Sequence, residues 1–162
     1  MAPLLVHIVG LSAAVAIDVR SRRIPNWLTG AISGAGFGIA FGGGAVTPAQ
    51  AALGMLAGLL LMMPGHLIGA TGAGDVKLMA AIGVVVGPGV ALRAFLYTAV
   101  AGGIFALAVA ARRGLLSETL YGTQRLVMAP AAARQTIESP SRANRFPYGP
   151  AIAVGTLIAV LA

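Results

Sequence analysis

The side chains best suited to moving protons or holding metals are few: four carboxylates, two histidines and no cysteine. Without a thiol there are no disulfides, thiolate metal sites or cysteine nucleophiles. His7 and His66 fall in different apolar segments, and no zinc-type cluster can be assembled from the spacing. No metal and no other cofactor is expected. Glu118 and Glu138 stand in the one polar stretch, where a solvated carboxylate needs no special role. That leaves Asp18 and Asp75, the only aspartates, each at the end of an apolar run. A carboxylate at a membrane boundary is costly unless paired or hydrated, which makes each a functional candidate.

Two such carboxylates on different helices and at one depth can converge. A few ångströms apart they cannot both ionise easily, so they share a proton over a wide pH range. The ionised member can then take a proton from water while the protonated one polarises a peptide carbonyl. That is amide hydrolysis by general acid–base catalysis, with no covalent intermediate. Taken singly, either aspartate reads as a helix cap or as an ion-pair partner of Arg20 or Lys77.

The flanks sharpen the pair. In Gly72-Ala73-Gly74-Asp75-Val76-Lys77, two glycines precede a carboxylate that opens a helix. Glycine permits positive φ and lets another chain, such as an extended substrate, come close. The dipole at a helix N-terminus suits an anion at Asp75, whereas Asp18 is near the C-terminal end of its helix. This assigns the base to Asp75 and the proton-bearing acid to Asp18. Gly72, Gly74, Lys77 and Asn26 are candidates for shaping the site or binding substrate. The simpler readings are an N-cap for Asn26 after Pro25, a snorkelling cation for Lys77 and a helix-packing or interfacial residue for His66. Trp27 reads as an interfacial anchor, and His7 is assigned nothing.

The elements that must position these residues are membrane helices. The chain has 162 residues, 58% hydrophobic and 9% charged, against roughly 25% charged in soluble domains. A net charge of +7 would fit nucleic acid in a soluble protein. Here the basic residues flank apolar runs, so a lipid bilayer is expected as partner and nucleic acid is not. Six spans are expected, at 3–18, 27–43, 49–69, 76–91, 94–111 and 147–162. Gly54 and Gly58 form a small-xxx-small pair in the third.

Six spans place loops 19–26, 70–75 and 112–146 on one face. Ten of the eleven basic residues belong to that face and only Arg93 to the other, which makes it cytoplasmic. Ala14-Val15-Ala16 resembles a signal-peptide cleavage site, but residues 1–6 lack the basic n-region. Within 112–146, Leu115, Leu116, Thr119, Leu120, Thr123, Leu126 and Val127 recur at helical spacing, which predicts an amphipathic interfacial helix. The expected architecture is all-α and polytopic, one membrane-embedded domain over 1–162.

With Asp18 followed by Ile24-Pro25-Asn26, then Gly72-Ala73-Gly74-Asp75-Val76-Lys77, then Pro147-Tyr148-Gly149-Pro150-Ala151-Ile152-Ala153, the sequence resembles the type IV prepilin peptidases. The resemblance implies an inner-membrane aspartyl endopeptidase that removes the short basic leader of prepilins or pseudopilins at the cytoplasmic face. Asp18 and Asp75 would be its catalytic pair. It is nearest the short form that serves tight-adherence (Flp-type) pili. The long form's N-terminal region with paired cysteines has no counterpart here, so methyltransferase activity is not expected.

Three other readings compete. A presenilin-like intramembrane protease shares the glycine-x-glycine-aspartate element but has more spans and a tyrosine where Ile17 stands. A small ion-coupled transporter would place its carboxylates nearer the midplane. A non-catalytic subunit of pilus or secretion assembly would use the aspartates structurally. The pilin substrate and the oligomeric state are not encoded legibly.

Overall fold

A computed structural model describes residues 2–21, 24–67, 71–112, 114 and 148–162. The expected interfacial helix at 115–128 lies outside the described residues, as do most of the arginines that carry the charge bias. The described residues form helices α1 (Ala2–Ser21), α2 (Asn26–Phe41), α3 (Pro48–Leu67), α4 (Ala73–Arg112) and α5 (Gly149–Leu161). All regular structure among them is helical, as the composition requires.

α4 departs from the sequence expectation. Spans at 76–91 and 94–111 would part around Arg93, but the helix breaks at Gly87, with φ 77° and ψ 173°. Glycine alone adopts that backbone cheaply. Pro88 then disfavours α geometry in the residue before it and offers no N–H to a continuing ladder. Arg93 consequently sits within the helix and not in a loop.

The break reverses the chain. A straight helix would put Asp75 and Gly102 about 40 Å apart. Yet Asp75 is near enough for its charge to act on the Tyr148 phenol, and a Cβ on Gly102 would meet the Tyr148 hydroxyl at 2.6 Å. The start of the first arm and the middle of the second therefore lie at one level. With the arms counted separately, the described residues make six helical segments.

The segments alternate in direction. Close approaches run antiparallel between α1 and α2 (Gly10 on Ile32), between α3 and the first arm (Gly58 on Met79, Gly54 on Gly83), and between the second arm and α5 (Thr98 on Gly155). α2 runs parallel to the first arm, with Gly36 against Val84 and Val85. The ends of α1 and α3 and the starts of α2, α4 and α5 thus collect at one pole.

The first arm, 73–86, is the centre of the bundle. Val76, Leu78, Met79, Ala81, Ile82 and Val85 belong to the main core cluster, with Ile24, Leu28, Ile32, Met62 and Ile152 packed around them. At Gly54 and Gly58 a Cβ would overlap the backbone carbonyls of Gly83 and Met79, so side-chain-free residues are what let α3 seat.

The outer surface is apolar. Leu53, Leu56 and Leu60 on α3, Leu96, Val100 and Ile104 on the second arm and Leu157 on α5 are exposed, whereas Asp18, Thr29, Asp75, Thr98 and Thr156 are buried. That inverts the usual arrangement of a soluble domain. Pro48–Leu67 is long and apolar enough to cross a membrane, and the equally apolar Ala73–Val109 is folded back on itself at Gly87.

Candidate active site

Three turns meet at the pole where Asp18 and Asp75 lie. Asp18 is in the last turn of α1, 5% exposed, and Asp75 in the first turn of α4, 8% exposed. The connection after α1 packs on the turn that opens α4, with Ile24 against Gly74. The only two aspartates thus share one pole, on different helices, with 56 residues of intervening chain between them.

Each carboxylate is held by a glycine amide. Asp75 Oδ2 accepts the Gly72 N–H at 3.0 Å, and Asp18 Oδ2 accepts the Gly149 N–H at 2.9 Å. Both bonds use Oδ2, which leaves the second oxygen of each group for water or a substrate carbonyl. The Gly72 carbonyl in turn accepts the amides of Asp75 and Val76 at 3.1 and 3.3 Å. That turn fixes Asp75 from both sides.

Of the two roles expected of these glycines, positive φ is not used and close approach is. Positive φ among the described glycines occurs at Gly43, Gly87 and Gly114, not at Gly72 or Gly74. What they supply is room. A Cβ on Gly74 would lie 3.2 Å from Cβ of Ile24 and 3.3 Å from its amide nitrogen, and one on Gly72 would lie 3.1 Å from Asp75 Oδ2. The close neighbour of Gly74 is thus the chain's own Ile24, which is buried against it.

Two further readings are corrected. Asn26 does not cap α2: Pro25 occupies the N-cap position, without a side-chain cap bond, and Asn26 begins the helix. Its Oδ1 instead accepts a hydrogen bond from Lys77 Nζ at 2.9 Å. Lys77 therefore reaches across to α2 and does not simply snorkel outward. Together with Ile24 on Gly74, this bond registers the α1–α2 connection against the start of α4.

His66 is exposed at the end of α3, with Nδ1 3.1 Å from the Thr71 carbonyl. Gly149 is the residue that sequence reasoning passed over as a site member. Its signal was the flanking Tyr148 and Pro150 together with a glycine that no local turn demanded. A Cβ there would stand 2.6 Å from Asp18 Oδ2.

The model of the type IV leader peptidase family matches residues 5–107. The chain belongs to the type IV leader peptidase family. Both aspartates, the Gly72–Lys77 turn and Asn26 fall inside the matched part, whereas Gly149 lies beyond it. No curated protein and no solved structure matches the chain. Membership implies a protease of the prepilin leader peptidase kind. With the apolar outer faces, it points to a membrane protein.

Proposed function

We propose that this family member is a multi-pass aspartyl endopeptidase of the bacterial inner membrane, with Asp18 and Asp75 as its catalytic pair. Its substrate is a type IV prepilin or pseudopilin of the tight-adherence (Flp) kind, cut at the cytoplasmic face to release the short basic leader. The whole of 1–162 acts as one membrane-embedded peptidase domain with six spans. One observation carries the reading: two buried carboxylates, from different helices, lie at one pole of the bundle, each held through one oxygen by a glycine N–H.

The chemistry follows from that arrangement. Asp75, at a helix N-terminus, is the ionised member and takes a proton from a water held between the two groups. Asp18 carries the shared proton and gives it to the scissile carbonyl as the water oxygen bonds to the carbonyl carbon. The tetrahedral diol collapses as Asp75 passes its proton to the amine leaving group and Asp18 takes back a hydroxyl proton, so that the C–N bond breaks and the pair regains its starting protonation. No covalent enzyme intermediate forms. Gly72, Gly74, Asn26 and Lys77 position the acids and shape the approach of substrate. The cytoplasmic assignment is supported by the basic residues: in a six-span reading nine of eleven fall on the loops of one face, and Lys77 lies just inside an adjoining helix.

The test is cleavage of a co-expressed prepilin by the wild type, Asp18→Asn and Asp75→Asn, read as a leader-sized mobility shift. Loss of cleavage in both variants, at normal membrane levels, is the expected outcome. Normal cutting by either would remove the paired-carboxylate mechanism and favour a transporter or an assembly subunit.

A further inference from the structure

His66 and Asp75 are connected through a single peptide group. His66 Nδ1 lies 3.1 Å from the Thr71 carbonyl oxygen. A carbonyl oxygen only accepts, so Nδ1 must carry the hydrogen. The N–H on the other side of that same peptide is the Gly72 amide, which donates to Asp75 Oδ2 at 3.0 Å. The chain of donors runs from imidazole to carbonyl, and from amide to carboxylate.

The surroundings fit a device for holding that peptide. Thr71 N–H, which belongs to the preceding peptide group, donates back to the Gly65 carbonyl at 3.2 Å, so the residue on the carbonyl side of that peptide is tied to two consecutive residues at the end of α3. Gly65 has room for nothing more, since a Cβ there would meet Thr71 Oγ1 and Cγ2 at 3.2 Å. Lys77, the cation nearest Asp75 in sequence, is engaged with Asn26. If His66 served only to cap α3, its acceptor would be one of the helix's own last carbonyls. Its acceptor instead belongs to the turn that presents Asp75.

We propose that His66 is a positioning residue: it orients and polarises the Thr71–Gly72 peptide so that the Gly72 N–H holds Asp75 in its working orientation. Donation to one end of an amide strengthens the donor at the other end. The role rests on the peptidase reading of Asp75, and it concerns the geometry of the acid, not the binding of substrate. Removing the donor should therefore lower kcat and leave KM unchanged.

Two measurements on the full-length protein in membranes or nanodiscs test this. The first needs no variant at the site. With only two histidines in the chain, 15N-histidine labelling, with His7→Gln to assign the signals, reports the His66 ring tautomer at about pH 8.5, where an ordinary imidazole is neutral. The Nδ1–H tautomer is required; an Nε2–H ring overturns the proposal. The second compares prepilin cleavage by His66→Ala and His66→Asn, since the asparagine amide nitrogen occupies the place of Nδ1. For His66→Ala, kcat should fall about fivefold, as for one net hydrogen bond acting at one remove, with KM unchanged and His66→Asn restored to near the wild type. Unchanged kcat in His66→Ala beside an inactive Asp75→Asn sinks the role of His66 alone. A wild type that cuts nothing, or an active Asp75→Asn, sinks the peptidase reading and this role with it.

Discussion

Asp18 and Gly149 stand 131 positions apart in the chain and 2.9 Å apart in space, carboxylate oxygen to amide nitrogen. The contact joins the first helix to the last at the level of the second aspartate. A methyl group on Gly149 would sit 2.6 Å from Asp18 Oδ2 and 3.0 Å from its Cβ, so the carboxylate would have to turn or α5 retreat. Misfits of this kind cost about 1–3 kcal/mol. Gly149→Ala should lower kcat/KM at least about tenfold while the protein still accumulates in the membrane. Cleavage kinetics at matched protein levels check this.

The paired-carboxylate mechanism fixes the form of the pH dependence. At low pH both groups are protonated and no base remains; at high pH both are ionised and no acid remains. The kcat profile should be bell-shaped, with two limbs that belong to the pair jointly. A purified enzyme in nanodiscs, assayed across the range with a peptide spanning the leader junction, provides the measurement. A flat profile would contradict shared-proton catalysis.

Lys77 and Asn26 act as one unit if their hydrogen bond registers the α1–α2 connection on α4. Lys77→Met and Asn26→Ala should then reduce kcat/KM by similar factors, each several-fold for one charge-assisted bond. The double variant should be no worse than either single one, because neighbours sharing a bond are not additive. Multiplying effects would show that the two side chains act separately.

The glycines of α2 and α3 should respond in opposite ways. Gly58→Ala places a methyl on the Met79 carbonyl, whereas nothing lies within 4 Å of a Cβ at Gly34. Gly58→Ala should destabilise the fold by about 1–3 kcal/mol or more. Gly34→Ala should be neutral, or stabilising by up to about 1 kcal/mol through helix propensity. Midpoints of unfolding in mixed detergent distinguish the two.

The sequence by itself determined the helical, membrane-type character of the chain. A composition with so few charges leaves no polar exterior for a soluble domain, and backbone in lipid must satisfy itself within helices or a closed barrel, of which apolar runs this long suit the helix. It also singled out Asp18 and Asp75, because an isolated carboxylate in apolar surroundings needs a reason. Where α1, α2, α3 and α5 lie was readable to within a few residues. The place where α4 turns was not: an arginine at 93 and a Gly-Pro at 87–88 both punctuate the same apolar run. Hydropathy does not rank the two signals, whereas backbone sterics favour the glycine.

Only the tertiary structure decided the partners. Asn26 reads as a cap by local rules, yet its acceptor oxygen is taken by a lysine that packing brings over from another helix. Gly72 and Gly74 read as places where a substrate chain comes close, yet the neighbours that need their space are Asp75 and Ile24 of the same chain. Gly149, set between Tyr148 and Pro150, could be noticed in the sequence, but its partner Asp18 lies 131 positions away. Periodicity and capping rules report on interactions within a turn or two of chain. A hydrogen bond between the first helix and the last depends instead on how the intervening segments pack, and small residues at their crossings set how closely they can approach.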